Sequence, residues 1–369
     1  MILAIDGVGA KHSGAATVLR SVVEAALRSE EAGQILVFCS PRALRNFDLP
    51  RSDRLTEIEV ATGETGPVGR LRWQLRGLSA AVESRDADAL LCLSGGGSAP
   101  RGIPSATFIQ QSLPFSPEAL AVMSWADRAR TKAIGWSMRL SCRRAGLVLV
   151  QTATMKRCVQ EAFRLQPERV EVVEPEAEVP RAAPPAPVLS AMRAVSPDRR
   201  LLYVGNTSLY KNLVLLPPAV RQLRRQVPGA TLFATVPAGH PITREEGILP
   251  LAHLGPGALR EAYELATVLV MPSLVETVGL PLLEAAALGT PVVAADRPYA
   301  HDVCGDAALY FDPHDPGALA GLLARLLADP GLRASLAAKG RASAELRAAA
   351  RPYDRMIELV VRLAARAAG

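Results

Sequence analysis

The stretch SLVETVGLPLLEAAALGTPVVAAD (273–296) sets Glu276 and Glu284 eight residues apart among small and apolar side chains. A buried helix and strand need no carboxylates, so the pair points to chemistry. The run TVLVMPS (267–273) reads as a strand that delivers the loop LVETVG. Pro281 suits the start of a helix, PLLEAAAL (281–288), which Gly289 and Pro291 stop. Glu276 then belongs to the loop and Glu284 to about the first turn of the helix. Between them, the amides of Val278, Gly279 and Leu280 point outward at a helix N-terminus, where exposed donors and the positive dipole end make an anion site. A Cβ at Gly279 would obstruct a diphosphate. The flanking carboxylates suit paired hydroxyls, since each accepts two or more hydrogen bonds. A nucleotide-sugar, with ribose on one side and sugar hydroxyls on the other, meets all three demands. The same residues admit a plainer reading. Glu284 would be an acid near a helix N-terminus, worth roughly 0.3–1 kcal/mol, and Glu276 a solvated loop residue. Spacing alone carries nothing, because Glu168 and Glu176 share it without a glycine turn or helix start.

The elements that must position these groups are legible as short apolar runs alternating with helical stretches. MILAID (1–6), QILVFC (34–39), ALLCL (89–93), SATFIQ (105–110) and LVLVQT (147–152) suggest one parallel sheet. LLYVGN (201–206), TLFATV (231–236), TVLVMP (267–272), PVVAAD (291–296) and ALYFD (308–312) suggest a second. The proline-rich segment between them reads as a linker. The expected organisation is an α/β chain with a first Rossmann-like domain over 1–180, a linker over 181–198 and a second domain over 199–350. A terminal helix over 351–369 follows, starting at Pro352, with Met356, Ile357, Val360, Leu363 and Ala367 as its apolar stripe.

With 369 residues, 49% hydrophobic, the chain can bury two ordinary cores. Its net charge of +6 permits an anionic ligand without demanding nucleic acid. The five cysteines form no CxxC pair and no set at metal spacing, so reduced thiols, a cytoplasmic setting and no metal are expected. No signal peptide and no apolar run of membrane-spanning length are read.

After the first strand, DGVGAKHSGAAT (6–17) offers Gly7 and Gly9, but His12 stands where a dinucleotide fingerprint needs its third glycine. What is left is a loop with Gly14 at the mouth of a helix from about Thr17. It is either a phosphate approach or a simple strand-to-helix turn.

The string PSLVETVGLPLLEAAALGTPVVAAD resembles the signature of the family 4 retaining glycosyltransferases. The likeness extends through HDVCGDAALYFDP (301–313), HLGPGALREAYELATVLVMPS (253–273) and YVGNTSLYKNL (203–213), and is strong over roughly 200–345. It implies the GT-B fold: two Rossmann-like domains facing across a cleft, with the last helix crossing back to the first. It also implies a retaining transfer from a nucleotide-diphosphate sugar without metal or other cofactor. That family places an Arg-x4-Lys pair on the donor diphosphate. Here Lys211 holds the lysine position and Asn206 replaces the arginine, with Arg199 and Arg200 as off-register cations. The resemblance assigns Lys211 and Glu276 to catalysis, Glu284 to the ribose, and Val278, Gly279 and Leu280 to the diphosphate. Leu254 falls near the nucleobase. Thr277 and Val278 depart from the family's usual glycine and aromatic. Asp86 and Asp88 form an Asp-x-Asp, but ahead of a first-domain strand, where a solvated helix end accounts for it.

On the acceptor side, Gln110 stands where that family often has a histidine. Two basic stretches, GRLRWQLRG (69–77) and WADRARTKAIGWSMRLSCRR (125–144), admit either peripheral contact with anionic lipid or a core-packing helix with a solvated cationic face. The acceptor is then a sugar, a lipid-linked sugar or a small molecule. A nucleotide-sugar epimerase and a non-catalytic nucleotide-sugar binding subunit are the competing expectations.

Overall fold

A computed structural model describes residues 1–10, 13–41, 49–61, 69, 72–93, 95–97, 100–177, 179 and 182–368. Its contacts divide the chain into two units: Met1–Phe115 with Ser124–Pro175 and Arg351–Gly369, and Ser116–Met123 with Glu176–Ala350.

The first unit is built on β1 (Ile2–Asp6), β2 (Gln34–Cys39), β3 (Leu55–Glu59), β4 (Ala89–Cys92), β5 (Ser105–Ile109), β6 (Leu147–Val150) and β7 (Val170–Val172). They pair in parallel in the order β3-β2-β1-β4-β5-β6-β7. The central strands are buried throughout, which is why they read as unbroken apolar runs. On one face, the Ser13–Arg28 helix and the terminal Pro352–Ala368 helix share a core: Val22 and Val23 from the former, Met356, Ile357 and Val360 from the latter. Arg28 pairs with Asp354 at 2.5 Å across the two helices.

The second unit carries β8 (Arg200–Tyr203), β9 (Thr231–Ala234), β10 (Ile248–Pro250), β11 (Val268–Met271), β12 (Val292–Ala295) and β13 (Ala308–Phe311), in parallel order β10-β9-β8-β11-β12-β13. Both sheets reverse strand order beside their first strand, between β1 and β4 and between β8 and β11. Loops leaving the carboxyl ends of two such strands diverge and leave a crevice at the sheet edge.

The segment read as a linker over 181–198 is built into the second unit. It includes a short helix, Ser190–Ala194, and Leu189 and Met192 are fully buried in that unit's core. Glu261 accepts from the Ala186 amide at 2.7 Å and pairs with Arg193. Prolines exclude long regular elements, and here they bound short ones that still bury apolar side chains. Residues 178, 180 and 181, at the expected boundary, lie outside the described residues.

The first helix begins at Ser13 and not near Thr17, so Gly14 lies within its opening turn. Ala15 and Ala16 are strong helix formers and extend the helix toward the strand. Lys11 and His12 lie outside the described residues.

Candidate functional site

The strands β8 and β11 release the two loops that carry the acidic and basic residues of the second unit. After β8 the chain passes Gly205 and Asn206 to a single tight turn, Leu209–Lys211. Asn212 closes that turn in the left-handed region, at φ 54°, and its Nδ2 donates to the Pro313 carbonyl at 2.8 Å. This anchors Lys211 to the loop after β13. After β11, Ser273 is fully buried, and its carbonyl accepts from the Tyr299 hydroxyl at 3.0 Å. The Leu274 amide donates to the Tyr210 carbonyl at 2.8 Å, which ties the two loops together.

That tie brings Lys211 and Glu276 into contact. Lys211 Nζ lies 2.6 Å from Glu276 Oε1, with side chains only 9% and 13% exposed. An ammonium carries three donors and a carboxylate two oxygens, so each group keeps capacity for other partners after pairing. The Tyr210 ring lies 5.6 Å from the ammonium. Two more tyrosines lie close enough to feel the charge of Glu276. Burial first, and the negative charge of Glu276 second, push the Tyr203 and Tyr299 hydroxyls well above the usual phenol value, so both stay neutral donors.

Gly279 caps the Leu280–Leu288 helix at φ 77°. A Cβ there would meet Leu282 Cδ1 at 3.3 Å, Met271 Cε at 3.4 Å and Glu276 Cγ at 3.5 Å. Pro281 has no N–H and the Leu282 amide donates to the Gly279 carbonyl at 2.8 Å, so the donors this turn can offer beside Glu276 are the amides of Val278, Gly279 and Leu280. Val278 is buried in the core and Leu280 is half-buried. Glu284 is the fifth residue of the helix, one position further in than expected, because the helix opens at Leu280. Tyr263 donates to its Oε2 at 2.6 Å from the Pro256–Leu265 helix. Burial, then the charge and hydrogen bond of Glu284, raise the Tyr263 hydroxyl well above the usual phenol value.

Asn206 is exposed and folds on itself. Its Oδ1 accepts from the Ser208 amide at 3.0 Å, and its carbonyl accepts from the Tyr203 hydroxyl at 2.8 Å. The off-register cations are committed elsewhere: Arg200 Nε donates to the Val195 carbonyl at 2.8 Å and Arg199 Nη1 to the Pro228 carbonyl at 2.6 Å. Leu254 is buried just before the Pro256–Leu265 helix. Gly14 and Gln110 belong to the first unit. There Gln110 Nε2 donates to the Leu93 carbonyl at 2.7 Å, beyond the ends of β5 and β4. The Asp-x-Asp dissolves into separate roles: Asp86 turns at φ 51° and Asp88 accepts from the Ile2 amide at 2.6 Å. Among the described residues no three His, Cys, Asp or Glu side chains gather as a metal site would require.

The glycine turn and helix start drew attention to Glu276, Gly279 and Glu284, and the family resemblance to Lys211. Neither signal pointed to Tyr263, Tyr203, Tyr299 or Asn212. Of these only Asn212, adjacent to Lys211, left a local trace.

The two loops at the β8–β11 reversal coincide with a match to a known family. Residues 198–329 fit the family described as Glycosyl transferases group 1. The matched residues lie wholly within the second unit. A D-inositol 3-phosphate glycosyltransferase of Salinispora arenicola is 31% identical over 249 residues, which cover 60% of this chain and 56% of that relative. The chain thus spans about half the length of the curated relatives it matches. Sucrose-phosphate synthase from Thermosynechococcus elongatus superposes with a TM-score of 0.76 at 18% identity, covering 99% of this chain and 100% of that one. The Anabaena protein HepE, solved with UDP and glucose, gives a TM-score of 0.67 at 16% identity over 98% of this chain and 99% of that one. The fold of the chain is therefore the α/β GT-B fold.

Proposed function

We propose that the chain is a retaining glycosyltransferase that moves a sugar from a nucleotide-diphosphate sugar to an acceptor hydroxyl. The observation that carries this reading is the buried Lys211–Glu276 pair set against the Gly279 cap, with Glu284 one turn along the same helix. Relatives named as glycosyltransferases and a fold neighbour solved with UDP support it.

In this reading the diphosphate lies on the opening amides of the Leu280–Leu288 helix and takes donors from Lys211 that Glu276 does not use. Glu276 lies on the sugar side, accepts from its hydroxyls, and offsets the positive charge that builds at the anomeric carbon. Glu284, oriented by Tyr263, holds the ribose diol, and the nucleobase lies toward Leu254. The acceptor oxygen forms a bond to the anomeric carbon as the bond from that carbon to the diphosphate oxygen breaks. The acceptor's proton passes to the departing oxygen, so no protein base is needed and the products are the glycoside and the nucleoside diphosphate. Lys211 and the helix dipole stabilise the charge on that leaving group, the place where fixed electrostatics lower a barrier most. These partners need no metal.

One observation favours a second reading, a donor-binding subunit without turnover: Asn206 stands in place of the arginine and uses its side chain to hold its own turn. Incubation with a panel of nucleotide-sugars, with and without candidate acceptors, separates the readings. Transfer predicts nucleoside diphosphate released only with acceptor present, and an anomeric configuration in the product that matches the donor. Donor binding without release, unchanged in Lys211→Ala, would support the binding subunit. Interconversion of the donor sugar without acceptor would mark an epimerase.

A further inference from the structure

We infer that the Trp125–Arg144 helix is a docking surface for an anionic lipid bilayer. The helix is fixed to the first unit along one side. Thr131, Met138, Ser141 and Cys142 are buried there, and Ser141 Oγ donates to Thr107 Oγ1 on β5 at 3.2 Å. Its ends are fixed as well. Ser124 caps the N-terminus by accepting from the Asp127 amide at 3.1 Å, and Arg169 donates to the Cys142 carbonyl at 2.9 Å.

The other side carries an unusual set. Counting 3.6 residues per turn, Arg128, Lys132, Trp136, Arg139 and Arg143 all fall within about 60° of Trp125. Trp125 is 83% exposed and Trp136 59% exposed. A core-packing helix would turn its tryptophans inward, as the first unit does with Trp73, which is buried against Phe38 with its indole N–H 3.3 Å from Asp6 Oδ1. That fate of Trp73 also withdraws the aromatic residue of the 69–77 stretch from any lipid contact; Arg70 there lies outside the described residues. On the Trp125–Arg144 helix the reverse holds: Thr131, Met138, Ser141 and Cys142 face the core while both indoles face outward.

Two indoles about 16 Å apart on one face of a straight helix can enter an interface together, at the depth where amphipathic rings settle. The exposed cations Arg128, Lys132 and Arg143 between and beside them meet lipid phosphates at the same depth, with half-buried Arg139 behind them, and their aliphatic stems lie along the apolar boundary. An acidic protein partner would satisfy the charges. It would not by itself account for two large rings held out on either side of a cationic row. The helix lies in the plane of the surface and does not cross it, since no described helix is long and apolar enough to span a membrane.

The test uses the full chain and sedimentation with vesicles of phosphatidylcholine alone, or of phosphatidylcholine mixed with phosphatidylglycerol. The expected result is binding to the anionic vesicles only, weakened by salt, with a blue shift of tryptophan emission. Trp125→Ala with Trp136→Ala, and separately Lys132→Glu with Arg143→Glu, should each weaken binding about tenfold or more while the thermal midpoint stays unchanged. Failure of the wild-type chain to sediment with anionic vesicles would overturn the proposal. So would wild-type binding by both double variants, or binding to soluble polyanions such as heparin without binding to vesicles.

Discussion

Tyr263 and Glu284 lie on different helices, twenty-one positions apart, and meet at 2.6 Å, phenol to carboxylate. The bond fixes which way the Glu284 carboxylate faces at the end of the sheet where the strand order reverses. Replacing Tyr263 by Phe removes a hydrogen bond to a charged acceptor, worth about 1.5 kcal/mol, while keeping the ring in its buried place. The expected outcome is a nucleotide affinity lower by roughly tenfold, a raised KM and a kcat changed much less. Calorimetric titration with nucleoside diphosphate, followed by steady-state kinetics, checks it. A variant with unchanged affinity would remove Tyr263 from the site.

Lys211→Ala leaves Glu276 mostly buried without its counter-ion. Breaking one side of such a pair costs about 3 kcal/mol, and losing a donor aimed at a leaving group lowers kcat by about 10²–10³-fold. The double change Lys211→Met with Glu276→Gln removes both charges and should recover most of the stability and none of the turnover. Denaturant melts paired with product assays distinguish the two effects.

Gly279→Ala tests the cap. At φ 77° an alanine is strained by about 1 kcal/mol, and its Cβ sits at 3.3–3.5 Å from three side-chain atoms, Glu276 Cγ among them. The melt should move only slightly, whereas the role proposed for the cap predicts a donor affinity that falls by more than the strain explains, because the new methyl presses on the Glu276 side chain.

Buried thiols and phenols set the alkaline limit of the fold. Burial pushes Cys39, Cys142 and Cys304 up to about 12 from an ordinary value of 9.0. These acids are neutral in the folded protein and ionise earlier in the unfolded chain, which therefore binds fewer protons above pH 9. Their contribution is full below about pH 9 and is lost as pH rises from there toward 12. Unfolding midpoints measured across that range should fall steadily. In the native protein at neutral pH, a thiol reagent should react at Cys158 well ahead of the four buried cysteines.

The inner strands of both sheets were legible because burial on two faces leaves an unbroken apolar run. QILVFC shows it best, matching β2 from end to end. The strands that escaped notice, β3, β7 and β10, all lie at sheet edges, whereas the fourth edge strand, β13, kept its apolar run ALYF. VEV and ILP have only three residues each, and in β3 the two glutamates and Thr56 face solvent, so the apolar signal halves or vanishes. The same distinction holds at the site. Glu276, Gly279 and Glu284 share one continuous string, and local order fixes their relation. Tyr263 and Tyr299 reach them only through packing of separate helices, and no spacing encodes that. The short helix at 190–194 was hidden by the prolines around it.

The central claim is that the second unit binds a nucleotide-diphosphate sugar through Glu284 and the Gly279 turn, and a thermal-shift titration of the full chain with nucleotides and nucleotide-sugars tests it most directly. A donor present at 100 times its dissociation constant adds about 2.7 kcal/mol of stability, an upward shift of several degrees. The account predicts that shift for at least one nucleotide-sugar, and its loss or strong reduction in Glu284→Ala. If no nucleotide or nucleotide-sugar stabilises the wild-type chain, or if Glu284→Ala responds just as the wild type does, the account is wrong.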